Sequence, residues 1–239
     1  MKKRIFSFLT ALCLCLTLLP TAARAENNWE SWTIFDGTNL NLSDGSCYLG
    51  GNVTMSGEIT ISGAVTFDLN GYTLTCNATD EDMLCVYDGK TLTIKDSGTD
   101  GTIDGQNKNC GFSVSSGTLI LESSIIANCR DDDGDGGAVD ISDGGKFEMS
   151  GGAITNCKAS DDSGAVDIGD GCTFIMNSGT ISGCRADDDA GAIFIKGNAS
   201  FLMNGGTIEN CSAGNYGGAV KIRNTSRFTM NGGTISSCT

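Results

Sequence analysis

The 239 residues include 34 Gly, 12 Cys, one Pro and no His, and carry a formal net charge of −14. The lack of His removes the Ser-His-Asp and Cys-His arrangements and most catalytic zinc sites, and the acidic balance argues against nucleic acid as a partner. High Gly with almost no Pro favours tightly turned strands whose backbone donors are all in use.

Residues 1–25 read as a secretory signal peptide. Lys2, Lys3 and Arg4 form a basic start, Ile5 to Leu19 an apolar run, and Ala23-Arg24-Ala25 an A-x-A cleavage site. The apolar run is short for a membrane anchor, and no later stretch is apolar enough to span a bilayer. Removal of this segment takes four basic and no acidic residues, leaving 11 basic against 29 acidic groups, a net charge of −18. The mature chain is therefore expected to be secreted or displayed at the cell surface.

Residues 26–46, with Trp29, Trp32 and Phe35, are expected to form an N-terminal cap or lead-in. Beyond them, Val53-Thr54-Met55, Ile59-Thr60-Ile61, Val65-Thr66-Phe67, Leu92-Thr93-Ile94 and Leu119-Ile120-Leu121 alternate apolar and polar residues. Such alternation marks strands. From residue 137 a repeat takes over. Gly137-Ala138-Val139 recurs as Gly164-Ala165-Val166, Gly191-Ala192-Ile193 and Gly218-Ala219-Val220, each 27 residues on. Phe147, Phe174, Phe201 and Phe228 keep that step, as do Met149, Met176, Met203 and Met230, and Ile154, Ile181, Ile208 and Ile235. Three short strands per repeat, stacked at constant period, predict an all-β fold: a single parallel β-helix over residues 47–239, of roughly seven coils. The chain stops one residue after a full repeat, which suggests a fragment or truncated reading frame.

The motifs Met203-Asn204-Gly205-Gly206-Thr207-Ile208 and Met230-Asn231-Gly232-Gly233-Thr234-Ile235 resemble the MNGGTI repeats of bacterial surface or secreted proteins with a pectin-lyase-like β-helix. The Gly-Ala-Val/Ile element, with Phe174-Ile175-Met176-Asn177, is similar to the GGAI and FxxN repeats of chlamydial polymorphic outer-membrane proteins. The resemblance implies a right-handed helix, surface display and adhesion. Phe147-Glu148-Met149-Ser150 departs from it by lacking the Asn, and neither a C-terminal barrel nor a sorting signal is present.

Cys157, Cys184, Cys211 and Cys238 follow the 27-residue step, with Cys129 one coil earlier at a step of 28. They are expected to stack at one corner. A secreted chain favours disulfides, but parallel Cβ vectors set neighbouring residues slightly too far apart for easy bridging, so a buried thiol stack is the favoured expectation.

The turns after these cysteines vary most and are the expected ligand-binding edge. Asp131-x-Asp133-x-Asp135-Gly136 matches the opening of a calcium loop and makes Asp131, Asp133 and Asp135 candidate Ca²⁺ ligands. Ser142 stands where an EF-hand has its bidentate Glu, so this is not an EF-hand. Asp161 and Asp162, then Asp187, Asp188 and Asp189, continue the acidic edge, and Tyr216 occupies the next turn. The competing reading is a solvated edge that keeps the solenoid soluble and blocks association. The aspartates follow the repeat rather than break it, which argues against catalysis. The expected function is a non-catalytic, adhesin-like module that requires no cofactor and presents its edge to a glycan or a host or bacterial surface protein. The alternative is a Ca²⁺-dependent polysaccharide lyase on the same fold, with Arg130 or Arg185 as candidate base.

Overall fold

The computed structural model describes residues 31–132 and 135–239. The expected signal peptide, Trp29 and the candidate ligand Asp133 lie outside these residues. Ser31–Thr239 forms one compact unit, built as a right-handed parallel β-helix of about seven turns. Among the described residues no helix is long and apolar enough to cross a membrane.

One coil shows the construction. The chain runs through Val139–Ser142, Lys146–Met149, Ala153–Thr155 and Lys158–Ala159, then enters the next coil at Val166–Ile168. The first, second and third of these strands belong to sheets of eight, nine and eight strands. Lys158–Ala159 belongs to a fourth sheet of only four strands, with Arg130–Asp131, Arg185–Ala186 and Ser212–Ala213. The later coils therefore carry a fourth short strand where three were expected. Within the expected lead-in, Thr33–Phe35 pairs in parallel with Cys47–Leu49, and Asn41–Leu42 with Thr60–Ile61. These residues begin two of the long sheets.

Register is locked because each apolar column stacks on itself. Phe147, Phe174, Phe201 and Phe228 are partners in successive strands. Their rings stack at 4.7, 4.8 and 4.9 Å, within 11° of parallel. Offset or edge-on rings would be preferred in isolation; here the strand spacing of ~4.8 Å imposes the stack. The first three rings are fully buried, each worth roughly 2–3 kcal/mol in removed apolar surface. A one-residue slip would turn every such side chain outward.

Two local devices turn the corners. The residue before each stacked cysteine has positive φ: Asn128, Asn156, Gly183, Asn210 and Ser237, at 52°, 56°, 65°, 56° and 55°. Asn and Gly tolerate this left-handed conformation best, and it aims the chain into the fourth sheet. Gly164 of the Gly-Ala-Val element faces that sheet so closely that a Cβ would lie 2.4 Å from the Arg185 nitrogen and the Gly191 oxygen.

The cysteines stack as a column through these corners. Lys158 N donates to Cys129 O at 2.9 Å, Arg185 N to Cys157 O at 2.9 Å, and Ser212 N to Cys184 O at 3.0 Å. All five carry free thiols. Each thiol donates to the carbonyl two residues back, at 3.2–3.5 Å. Burial pushes the Cys157 thiol well above its ordinary value, and contact with Cys157 does the same to Cys184. Outside the core, an amide ladder joins Asn231 to Asn204 and Asn204 to Asn177, both at 2.9 Å. Asn177 then donates to Glu148 Oε1 at 3.2 Å, so Glu148 ends the ladder in the coil where Ser150 replaces Asn.

Candidate functional site: the charged edge

The variable turns join the fourth sheet to the Val/Ile sheet, and the coil register fixes which of their side chains meet. Gly136, Ser163 and Ala190 are bridged in parallel, which aligns Asp135, Asp162, Asp189 and Tyr216 in one row. Asp161, Asp188 and Asn215 form the neighbouring row. The extra residue in the first acidic turn, responsible for the step of 28, falls between Asp131 and Asp135.

The expected edge divides into two parts. Asp162 and Asp189 are structural counter-ions. Lys196 Nζ lies 2.6 Å from Asp162 Oδ2, 3.0 Å from Asp167 Oδ2 and 3.2 Å from Asp135 Oδ1. The three carboxylates converge closely enough to hold a metal ion, but the chain's own ammonium sits among them. Burial pulls Lys196 down, yet Asp167, Asp162 and Asp135 outweigh it and hold the ammonium above the ordinary lysine value. Asp189, 5 % exposed, contacts Lys221. Lys221 also lies over the rings of Tyr216 and Phe194, 4.4 and 5.0 Å from their centroids.

The second part faces solvent. Asp161 is exposed and Tyr216 is 61 % exposed. What burial Asp161 has, together with Asp162 and Asp188 beside it, raises its carboxyl above the ordinary value. Asn215 Nδ2 donates to Asp188. Asp187 pairs with Arg185 at 3.1 Å.

Of the proposed calcium ligands, Asp131 and Asp135 are brought together. Asp135 N donates to Asp131 Oδ2 at 3.2 Å, and both residues line a concave pocket of about 230 Å³. Asp80, Glu81, Asp82, Cys110, Arg130, Asp132 and Asp140 complete its lining. Burial, reinforced by Asp135, Asp82 and Asp131, pushes Asp140 up to about 7 despite Lys196. Burial also raises Asp82.

Asp140 and Asp167 are register partners, followed by Phe194 and Lys221 in the same row. Asp167 is 1 % exposed, and burial pushes it up to about 8 even beside Lys196. Its Oδ1 has no hydrogen-bond partner. Lys196 and Asp82 are the residues of this edge that sequence reasoning missed. For Lys196 the available signal was a basic pair, Lys196 and Arg223, appearing in a row that begins with Ser142 and Gly169; the acidic-to-basic change along the Asp140 row falls at Lys221 instead. For Asp82 there was none, because it lies outside the periodic region.

No family model, curated protein or solved structure matches the chain.

Proposed function

We propose that the chain is an exported, non-catalytic β-helix module of the pectin-lyase-like, bacterial surface type. In this reading it acts as an adhesin, presenting its charged edge to a glycan or a surface protein. The carrying observation is the contrast between a scaffold locked in register on every coil and one edge whose outward residues change from coil to coil. Rigid placement of variable polar groups lowers the ordering cost of binding. The MNGGTI repeats and the signal-like N-terminus support the family and the export. The test is binding of the purified protein to a panel of immobilised glycans and surface proteins. Wild type is compared with the Asp161→Asn/Asp188→Asn/Tyr216→Ala variant. Loss of a wild-type interaction in the variant supports the reading; full retention of every interaction in the variant refutes the edge as the contact.

Calcium at Asp131 and Asp135 belongs to the same proposal. The pocket gathers carboxylates of the kind that Ca²⁺ prefers, and Asp133 belongs to the same turn. Millimolar Ca²⁺ is expected to raise the melting temperature of wild type but not of Asp131→Asn, and an unchanged wild-type melt removes the ion from the account. The Ca²⁺-dependent lyase is retained as a second reading because Arg130 lies in this pocket beside the carboxylates. Calcium-dependent release of unsaturated, ultraviolet-absorbing products from polygalacturonate or alginate would establish it in place of the first.

A further inference from the structure

We propose that the fourth sheet carries a cationic ladder, Arg130, Lys158 and Arg185, which takes the acidic groups of a polysaccharide lying along the solenoid axis. The proposal rests on the glycan-binding reading above and names the class of glycan.

Arg130 pairs with Lys158, and Lys158 with Arg185, as parallel register partners. Successive rungs are therefore ~4.8 Å apart along the axis. All three side chains are exposed, while the next residues of the later two strands, Ala159 and Ala186, are buried. The row lines a groove of about 290 Å³ together with Asp132, Ser160 and Asp187.

The rungs are not equivalent. Arg130 Nε reaches Asp132 at 2.6 Å, and Arg185 reaches Asp187 at 3.1 Å, each two residues on. In the middle coil that position is Ser160, whose hydroxyl is committed to the Asp132 carbonyl at 2.8 Å. Among the described residues no carboxylate lies within ion-pair distance of Lys158. The centre of the ladder is thus an ammonium with no carboxylate partner among the described residues, set between two guanidinium groups, each with donors to spare beyond the carboxylate it reaches. Stacked cations in fixed register repel one another, and an anionic oxygen group at Lys158 relieves that repulsion while accepting from the flanking arginines. A polymer with closely repeated acidic groups suits a row running along the axis better than a single small ion does. Carboxylates and sulfates share this chemistry.

The experiment measures retention of the full chain, at low salt, on immobilised polygalacturonate (carboxylate), heparin (sulfate) and neutral dextran. Both acidic polymers repel a chain of net charge −14 at long range, so retention reports a local cationic site rather than general ion exchange. The expected result is salt-sensitive retention on one or both acidic polymers and none on dextran. Lys158→Gln should bind about tenfold more weakly, with Lys158→Arg close to wild type. Which acidic polymer is retained identifies the group. Lys158 is exposed, and an unchanged circular dichroism spectrum of the variant keeps the comparison valid. Retention unaffected by Lys158→Gln, equal retention on dextran, or no retention on either acidic polymer each overturns the ladder. If the ladder fails while the Asp161/Asp188/Tyr216 variant still loses a partner, the edge reading survives without it.

Discussion

Replacement of Lys196 by Met tests whether one ammonium holds two coils of the edge against a third. The ammonium lies 3.0 Å from Asp167, whose carboxyl is almost wholly buried. At an effective dielectric of ~20 that contact is worth ~5 kcal/mol gross. The desolvation of both charges offsets part of it, and Lys196 keeps 31 % of its side-chain surface in water while Asp135 keeps 57 %. A net loss of ~2–3 kcal/mol follows for Lys196→Met when Asp167 is ionised. Burial pushes Asp167 up to about 8 even beside Lys196 and would push it higher without that ammonium. The deficit should therefore open as pH rises beyond about 8 and be smallest below pH about 5, where this carboxyl is neutral in both proteins and only Asp162 and Asp135 still pair with the lysine. Urea denaturation followed by circular dichroism at pH ~5 and pH ~10 measures it. Lys196→Met/Asp167→Asn should recover most of the loss at high pH. An unchanged midpoint for Lys196→Met at high pH, or a double variant no more stable than the single, would show that the cluster is only a solvated surface arrangement.

Three further outcomes are expected. Asp140 and Asp167 have folded-state values of about 7 and about 8, above the ordinary carboxylate value. Their contribution is therefore complete below pH ~4 and is lost as pH rises through the folded values, so the wild-type melting temperature should fall between pH ~5 and ~8.5; a flat profile there contradicts the burial of both carboxyls. Phe174→Ala removes the middle of the ring stack and should cost ~3–5 kcal/mol by chemical denaturation, whereas Phe228→Ala, at a half-buried position, should cost clearly less; equal costs would count against the stack as drawn. Under native conditions a maleimide should label Cys238 faster than Cys129, Cys157, Cys184 or Cys211, and all five should label after unreduced denaturation. Missing thiols in the denatured sample would reveal disulfides in the column.

The fold was legible because its chief determinant is periodic. Five columns locked to one step, with two-residue alternation between turns, leave few architectures other than a stacked coil. The fourth sheet was not legible, because Lys158–Ala159 and its partners are two residues long and show no alternation to read. Its sequence mark was the left-handed corner residue before each cysteine, where Asn156, Gly183 and Asn210 share a backbone conformation rather than a chemistry. The acidic turns were visible as sequence, but their division into outward and inward carboxylates was not. That division depends on Lys196 and Lys221, which reach back one or two coils, and a contact across coils leaves no trace in local spacing. Asp161 and Asp162 are chain neighbours of the same type, yet one faces water and the other binds an ammonium.

The extra residue between Asp131 and Asp135 has a consequence for how such a molecule changes over generations. It lengthens one turn, yet Arg130 still meets Lys158 below it and Gly136 still meets Ser163 above it. Insertions at this margin are absorbed within a single coil and are not transmitted to its neighbours. Each coil can therefore gain, lose or exchange turn residues independently while the interior columns stay fixed, so recognition can diversify one coil at a time without renegotiating the fold.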